Sequence, residues 1–419
     1  MSAVRAEPAA SRQRSPLLPI FLIVMVDVLG LTIILPLLPF YAERLGASPT
    51  VVGLLVSTYA ACQLIAGPVL GQMSDRTGRR PLLLVSQMGT FVGFLILAWA
   101  GYAGLLWMVF LSRVIDGLTA GNLSLAQAYI SDVTRPEERA KSFGMIGVAF
   151  GVGFLIGPAI SGFLSMFSYE YPVFAAAALS FTSILATYFL LPSAPVIPDS
   201  EKRDGPPLPA GRRLRVLDWG NYATYFQRPV LAELLWQFFA FTFTFAIFMS
   251  GFALFAERRY TWNGHPFGPK EVGYIFAYVG FLGIILQGGL IGRLVKRFGE
   301  EKLVAVGFLT ATAGFAYMGF TYDLTGLLVS SSIASFGTGV LRPALTSLIT
   351  QRAGREEQGV VLGLTQSLMS VSQIVAPVIA GFLIDRALLT TWAVVGAVVS
   401  AVGIVIGMLK ARIRAAAQS

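Results

Sequence analysis

Five ionisable side chains lie inside long apolar segments of this 419-residue chain, and they are the residues best placed to do chemistry. They are Asp27, Arg113, Asp116, Glu233 and Arg342. A charged side chain at the centre of a membrane-spanning helix costs about 2.5–3.5 kcal/mol, so each of the five is expected to have a function. A carboxyl group removed from water holds a proton more readily than one in water. A buried aspartate can therefore take part in proton transfer across a membrane.

The composition requires that most of the chain lies in a bilayer. Only 13% of the side chains are charged, and the mean hydropathy is +0.71. Soluble domains carry about 25% charged residues. The composition therefore excludes a soluble enzyme, a secreted disulfide scaffold and a nucleic-acid binder. Uncharged runs such as 81–112 exceed the ~20 residues that span a bilayer as a helix, whereas strands of an outer-membrane barrel alternate over about 10 residues.

These runs predict an all-α membrane protein with twelve transmembrane helices. The predicted spans, numbered 1 to 12, are 18–42, 50–73, 82–101, 104–131, 140–167, 171–191, 230–257, 270–294, 302–322, 324–350, 358–384 and 388–409.

The distribution of basic residues predicts the orientation of the spans. With the N-terminus in the cytoplasm, 24 of the 31 Lys and Arg residues lie on the cytoplasmic side and 5 on the opposite side. Cytoplasmic loops of membrane proteins carry this excess. We therefore expect a multi-pass protein of the bacterial inner membrane with both termini cytoplasmic, and we interpret the net charge of +9 as a topology signal.

A proline-rich polar stretch divides the chain into two similar halves. It predicts an N-terminal six-helix bundle over 1–191, a cytoplasmic linker over 192–229 and a C-terminal six-helix bundle over 230–419. Gly157-Pro158 recurs as Ala376-Pro377, and Gly162 recurs as Gly381 at the same separation along the chain. Because six spans return the chain to its starting side, the copies are parallel. We expect two pseudo-symmetric bundles around a central cavity.

The loop between spans 2 and 3 resembles the signature of the major facilitator superfamily. It reads Gly-Gln-Met-Ser-Asp-Arg-Thr-Gly-Arg-Arg, with Met73 in place of the usual leucine. Its glycines and charges are predicted to latch the two halves in one conformation, although anchoring of basic residues on the cytoplasmic side is the alternative. The predicted latch residues are Gly71, Asp75, Arg76, Gly78, Arg79 and Arg80.

Motifs in spans 1, 4 and 5 resemble the drug:proton antiporters of that superfamily, and the tetracycline-efflux type in particular. Span 1 has Asp27 followed by Gly30, Pro36 and Pro39. Over 111–121, span 4 reads Leu-Ser-Arg-Val-Ile-Asp-Gly-Leu-Thr-Ala-Gly. Span 5 is similar to the antiporter signature, although a row of small residues in a membrane helix also serves close packing. Its motif residues are Gly147, Gly151, Gly153, Gly157, Pro158 and Gly162.

The resemblance implies that Asp27 carries the proton and that Arg113 tunes it. From the residues alone, Arg113 and Asp116 are three apart on a helix, so neutralising each other is the alternative. Glu233 is a gate partner, an interfacial charge or a proton site. Arg342 either pairs with Glu233 or attracts an anionic group of the substrate. We assign Asp27, Arg113 and Asp116 to proton coupling.

Polar and aromatic residues inside the spans predict a substrate cavity, with helix packing as their alternative role. The predicted cavity residues are Asn122, Gln127, Glu233, Gln237, Phe241, Tyr274, Tyr278, Gln287, Arg342, Gln366 and Gln373. Spans 8 and 9 lack the histidine and the acid that the tetracycline-efflux type carries there, which argues against tetracycline as the substrate. His265 is expected to be a surface residue.

The sequence therefore predicts a proton-coupled secondary transporter that exports small lipophilic compounds by alternating access, as in multidrug efflux and antibiotic resistance. We expect a monomer in the lipid bilayer that binds protons and a small molecule. No Walker loop or metal cluster is visible, so we expect no enzyme activity, cofactor or metal. The alternatives are an uptake symporter of a metabolite, or a lipid-handling or sensory membrane protein on the same scaffold.

Overall fold

The computed structural model describes residues 17–134, 139–192, 219–353 and 357–418, and these are almost entirely helical. The helices are α1 (Leu17–Arg44), α2 (Pro49–Thr77), α3 (Arg79–Ala103), α4 (Leu106–Thr119), α5 (Asn122–Val133), α6 (Arg139–Ser165), α7 (Glu170–Leu190), α8 (Trp219–Phe226), α9 (Pro229–Arg259), α10 (Pro269–Ile285), α11 (Ile291–Phe298), α12 (Glu300–Met318), α13 (Leu324–Arg352), α14 (Gln358–Asp385) and α15 (Leu389–Gln418). A two-residue strand pair, β1 (Thr261–Trp262) and β2 (His265–Pro266), follows α9 and contains His265, which is exposed as expected.

Ten helices in the described part of the chain are long and apolar enough to cross a membrane. The predicted all-α membrane fold is confirmed. Of the two remaining predicted spans, span 9 corresponds to α12, and span 4 is divided between α4 and α5. Within the predicted linker, α8 is helical, whereas 193–218 lie outside the described residues.

Proline and glycine fix several helix ends. Helices α2, α9 and α10 each begin with a proline, whose missing N–H is not needed in the first turn. The Ser48 hydroxyl caps α2 by accepting from the Val51 N–H at 3.4 Å. Gly78 joins α2 to α3 at a φ of 96°, a conformation that a residue with a Cβ rarely adopts.

Predicted span 4 is interrupted at Ala120 and Gly121, where the sequence pattern predicts one continuous helix. The reason is a side chain from α3. The Ser86 hydroxyl donates to the Thr119 carbonyl and accepts from the Gly121 N–H, which replaces backbone bonds of the helix. An inserted side chain of this kind is a known cause of a sharp helix break.

Predicted span 8 contains an irregular turn. Helix α10 runs to Ile285, residues Leu286–Leu290 form a π-turn, and α11 continues from Ile291. Single π-turns inside α-helices occur frequently at functional sites.

Two pairs of helices make most of the contacts between the N-terminal half (α1–α7) and the C-terminal half (α9–α15): α2 with α14, and α6 with α10. We call the two ends of the molecule the Glu43 end and the Asp75 end. At the Glu43 end, Gly53 of α2 lies against the backbone of Pro377, and Gly381 of α14 lies against the backbone of Pro49. Each half therefore presents a glycine to a proline segment of the other half. The contact of Gly53 with Pro377 recurs in the other helix pair, where Gly273 of α10 lies against the backbone of Pro158 of α6, as expected for a two-fold repeat.

The two halves separate toward the Asp75 end. Gly144 and Gly162 are separated by about five helical turns, so they share one face of α6. A Cβ on Gly162 would lie 2.9 Å from the Lys270 carbonyl oxygen of α10, whereas one on Gly144 would meet no atom within 4 Å. On α14, Gly381 contacts α2, but Gly363, on the same face, has open space around it.

The hydrophobic core has the same asymmetry. One buried cluster contains residues of both halves, among them Leu55, Phe94, Phe252 and Trp392, and it lies toward the Glu43 end. A second cluster belongs to the C-terminal half alone and a third to the N-terminal half alone. The described chain is thus joined at the Glu43 end and opens toward the Asp75 end.

An ion pair spans the two halves at the closed end. The Arg258 guanidinium of α9 donates to the Glu43 carboxylate of α1 at 2.6 Å, and the Thr50 hydroxyl of α2 donates to Asp385 of α14 at 2.6 Å. Partly exposed pairs contribute up to about 1 kcal/mol.

We expect Arg258→Gln to increase the population open at the Glu43 end by up to about fivefold, measured as spin-label distances between α1 and α9. The charge reversal Glu43→Arg with Arg258→Glu should restore closure, and failure of both effects would contradict a gating role.

Candidate functional site

Asp27 lies on α1 against two polar residues of neighbouring helices. The Gln87 amide of α3 donates to Asp27 Oδ2 at 3.5 Å and to the Ser183 hydroxyl of α7 at 2.8 Å. Gln87 and Ser183 are fully buried. The partners recorded for Asp27 are neutral, and no ion pair to it is recorded in the described chain.

Gln87 and Ser183 are residues that the sequence analysis missed. A signal for Gln87 existed, because it is the one amide in the uncharged run 81–112. The signal for Ser183 is weak, since serine is common in membrane helices and usually bonds within its own helix. Both residues matter because they determine the surroundings of the predicted proton carrier.

Arg113 and Asp116 are buried together on α4. Arg113 Nη1 lies 3.4 Å from Asp116 Oδ2, and the two side chains are 6% and 8% exposed. The Asp116 carboxyl is also within hydrogen-bonding reach of Thr90 of α3, while Arg113 Nη2 has no protein partner in the described chain. The pair is therefore formed within one helix and leaves one guanidinium nitrogen unsatisfied.

Helix α3 connects the two predicted acid sites. Gln87, which contacts Asp27, and Thr90, which contacts Asp116, are three residues apart and so project from the same side of α3. Gly93, one turn further on, allows Asp116 to approach, because a Cβ there would lie 3.2 Å from the Asp116 Cβ. Helix α3, whose predicted site residues were the latch residues Arg79 and Arg80 alone, thus contacts both acids.

The predicted latch residues bond within the N-terminal half. Asp75 pairs with Arg79 at 2.7 Å, and Arg79 pairs with Asp132 of α5 at 2.9 Å. Arg80 donates to the Thr187 carbonyl of α7 and lies over the Tyr188 ring. Arg76 is exposed, Gly71 has no neighbour within 4 Å of a Cβ position, and Gly78 makes the turn. In this conformation the loop tethers α2, α3, α5 and α7 to one another.

The glycine row of predicted span 5 has two packing directions. Gly153 and Gly157 lie against Val28 and Thr32 of α1, and the Thr32 hydroxyl donates to the Gly153 carbonyl at 2.9 Å. Gly151 and Gly162 face α10, with Ile284 and Lys270, and the Pro158 carbonyl faces Gly273. Gly147 faces open space. The row thus holds α6 between its own half and the opposite half.

The predicted cavity residues differ in their exposure and in the partners that they bond. Gln237 and Phe241 are buried, and the Gln237 amide donates to the Gly403 carbonyl at 3.0 Å, which packs α9 against α15. The Tyr278 hydroxyl bonds to Ser332 of α13 at 2.7 Å. The half-buried members are Asn122, Glu233 and Gln373, and the exposed members are Gln127, Tyr274, Gln287, Arg342 and Gln366. Packing is thus the observed role of Gln237 and Tyr278 in this conformation.

Arg342 lies on α13 with an exposed side chain. No ion pair between Arg342 and an acid, including Glu233, is recorded among the described residues. A separate cavity of about 400 Å³ at the Glu43 end is lined by Phe40, Glu43, Arg44, Tyr169 and Glu257, which are not among the predicted cavity residues.

Comparison with known proteins places these features in a family. The family model described as Major Facilitator Superfamily matches residues 20–291 and 267–418. The chain is 30% identical over 369 residues to the tetracycline resistance protein, class B, of Escherichia coli, covering 87% of this chain and 88% of that protein. It is 27% identical to multidrug resistance protein 2 of Bacillus subtilis, covering 86% and 87%.

A solved structure has the same fold. The crystal structure of a bacterial homolog to the human lysosomal transporter Spinster, in an inward-facing and unoccupied conformation, aligns with a TM-score of 0.73 at 16% identity. The alignment covers 96% of this chain and 98% of that chain.

Proposed function

The chain belongs to the major facilitator superfamily of membrane transporters, and on this premise we propose that it exports small lipophilic compounds in exchange for protons. The names of its relatives support drug export, since they include tetracycline and multidrug resistance proteins. The observation that carries proton exchange is the position of Asp27, a carboxyl group inside a membrane helix whose recorded partners are neutral. An acid without a fixed counter-charge is able to change its protonation state during a transport cycle.

Arg113 and Asp116 are proposed to support the same step. Arginine stays protonated, so Arg113 can bias a proton site but cannot carry the proton. Its unsatisfied Nη2 leaves it able to take a second partner when helices move. Because α3 contacts both Asp27 and Asp116, a displacement of one acid is expected to alter the other.

Alternating access is proposed to occur by rocking of the two six-helix bundles, 1–191 and 230–419, which the segment 192–229 links. Contacts between halves at the Glu43 end and open space at the Asp75 end support a conformation open to one side. The excess of basic residues supports an orientation with the Asp75 end and both termini in the cytoplasm of a bacterium. We therefore take this conformation as the inward-open one.

Substrate is proposed to enter from the Asp75 end and to contact Arg342, together with the accessible amides Gln127, Gln287 and Gln366. Arg342 has a permanent charge and no acidic partner among the described residues. This favours a substrate with an anionic or strongly hydrogen-bonding group beside its apolar part. We expect the protein to work as a monomer.

Reconstitution into vesicles tests this proposal. With a fluorescent quinolone as probe, an aromatic compound that carries a carboxylate, an imposed proton gradient should drive its accumulation against its own gradient, and a protonophore should collapse that accumulation. Uptake in the direction of proton flow would instead favour the metabolite symporter. Absence of any gradient-dependent movement across a panel of lipophilic cations, anions and zwitterions would favour a lipid-handling or sensory protein.

A further inference from the structure

Two buried oxygen atoms near Asp27 lack hydrogen-bond partners in the described part of the protein. They are Asp27 Oδ1 and Gln87 Oε1. Both are acceptors when the acid is ionised, because a carboxylate has no proton to donate and the amide oxygen never has one. Two acceptors cannot satisfy each other, and an unpaired buried acceptor is unfavourable.

A single proton on Asp27 removes this deficit. The protonated carboxyl becomes a donor, and the amide oxygen of Gln87 is an available acceptor in the same cluster. When the proton leaves, the amide nitrogen of Gln87 is the donor that faces the carboxylate, at 3.5 Å. One amide can thus serve both protonation states, with its oxygen for the acid and its nitrogen for the carboxylate.

Gln87 is fixed in place from α7. Its amide donates to the Ser183 hydroxyl at 2.8 Å, and the Ser180 hydroxyl donates to its backbone carbonyl at 3.4 Å. Because Gln87 and Ser183 are fully buried, water does not compete for these bonds. The Ser183 hydroxyl is also within hydrogen-bonding reach of the Asp27 carboxyl.

No charged side chain described on the neighbouring helices forms an ion pair with the Asp27 carboxyl. The acidic and basic residues described on α2, α3, α5, α6, α7, α9 and α10 lie in the first or last two turns of those helices. On α4, Arg113 and Asp116 pair with each other. The neutral groups Gln87 and Ser183 are the recorded polar contacts of the carboxyl.

We propose that Gln87 is a positioning residue for proton exchange at Asp27, through an amide that binds the ionised acid with its nitrogen and the protonated acid with its oxygen. This inference rests on the proposed role of Asp27 as the proton carrier. It assigns α3 and α7, rather than the C-terminal half, to control of that proton.

The test is an infrared titration of the full-length protein in lipid. The carbonyl band of a protonated carboxyl is assigned to Asp27 by its loss in Asp27→Asn, and its intensity is followed against pH. Gln87→Leu removes both the donor to the carboxylate and the acceptor for the protonated acid. Because a hydrogen bond to a charged group is the stronger of the two, and because leucine adds apolar surface, the titration midpoint should rise by about one pH unit or more. A midpoint equal to that of the wild type would overturn the inference.

A compensating pair separates positioning from general stability. Gln87→Asn shortens the amide and should also shift the midpoint, whereas Asp27→Glu with Gln87→Asn restores the combined length and should return it toward the wild-type value. Gln63→Leu is the matched control, since that amide on α2 bonds to the Tyr59 hydroxyl instead, and its midpoint should not move. Failure of the double variant to recover would contradict direct contact.

The result is distinguishable from failure of the proposed function. If Asp27→Asn keeps gradient-driven transport, Asp27 is not the carrier, yet the titration of its band still reports whether Gln87 positions it. If Gln87→Leu fails to fold, the Gln87→Asn and double variants still decide the question.

Discussion

Asp27→Asn is expected to abolish gradient-driven export while leaving the protein folded. Asparagine has nearly the same shape and can still bond with Gln87, but it cannot exchange a proton. Each pH unit supports about a tenfold concentration ratio per proton exchanged, so the ratio reached by the variant should fall to about one. The measurement is accumulation of the fluorescent quinolone in vesicles under an imposed pH gradient.

Downhill movement of the quinolone provides the control for Asp27→Asn. A carrier that still alternates should equilibrate the quinolone, and the elution of the variant on size exclusion should match the wild type. Gradient-driven accumulation at the wild-type level would remove Asp27 from the mechanism and leave the Arg113–Asp116 pair as the remaining buried candidate on the N-terminal half.

Gly162→Leu is expected to prevent closure at the Glu43 end and to reduce transport by at least tenfold. A Cβ at this position would lie 2.9 Å from the Lys270 carbonyl oxygen of α10. Backbone cannot rotate away as a side chain can, so the two helices must separate. Overpacking costs about 1–3 kcal/mol, and about 1.4 kcal/mol corresponds to a tenfold change in population. Spin-label distances between α6 and α10 measure the opening.

Gly144→Leu is the matched control for Gly162→Leu, because it makes the same change on the same face of α6 at the opposite end. A Cβ at Gly144 meets no atom within 4 Å, so the Glu43 end should remain closed. If both variants opened the Glu43 end equally, the effect would come from the leucine itself rather than from contact between the halves.

Most of the fold could be predicted because its signal is local. Uninterrupted apolar runs define the spans, and their length alone excludes other classes of protein. The break at Ala120 and Gly121 could not be predicted in this way. It depends on Ser86, which is 35 residues away in sequence and reaches the break only once α3 and α4 have packed.

The candidate site was predictable in its charged residues and not in their partners. A charge inside an apolar run is conspicuous, so Asp27 and Arg113 could be identified from sequence. Gln87 is 60 residues from Asp27, and its polar side chain becomes significant only through that contact. Gln237 illustrates the alternative that the sequence leaves open, because its buried bond to the Gly403 carbonyl packs one helix of the C-terminal half against another.

The π-turn at Leu286–Leu290 has a consequence for the correspondence between the two halves. Pro49 and Gly53 correspond to Pro269 and Gly273 at one common offset, but Gly71 and Gly78 correspond to Gly292 and Gly299 at an offset that is longer by a single position. The C-terminal copy therefore has one more residue inside this helix than the N-terminal copy. An ordinary α-helix would transmit that insertion as a rotation of about 100° to everything downstream. Because a π-turn closes over five residues instead of four, it accommodates the extra residue locally. The residues that follow it therefore keep the same orientation as their counterparts in the N-terminal half.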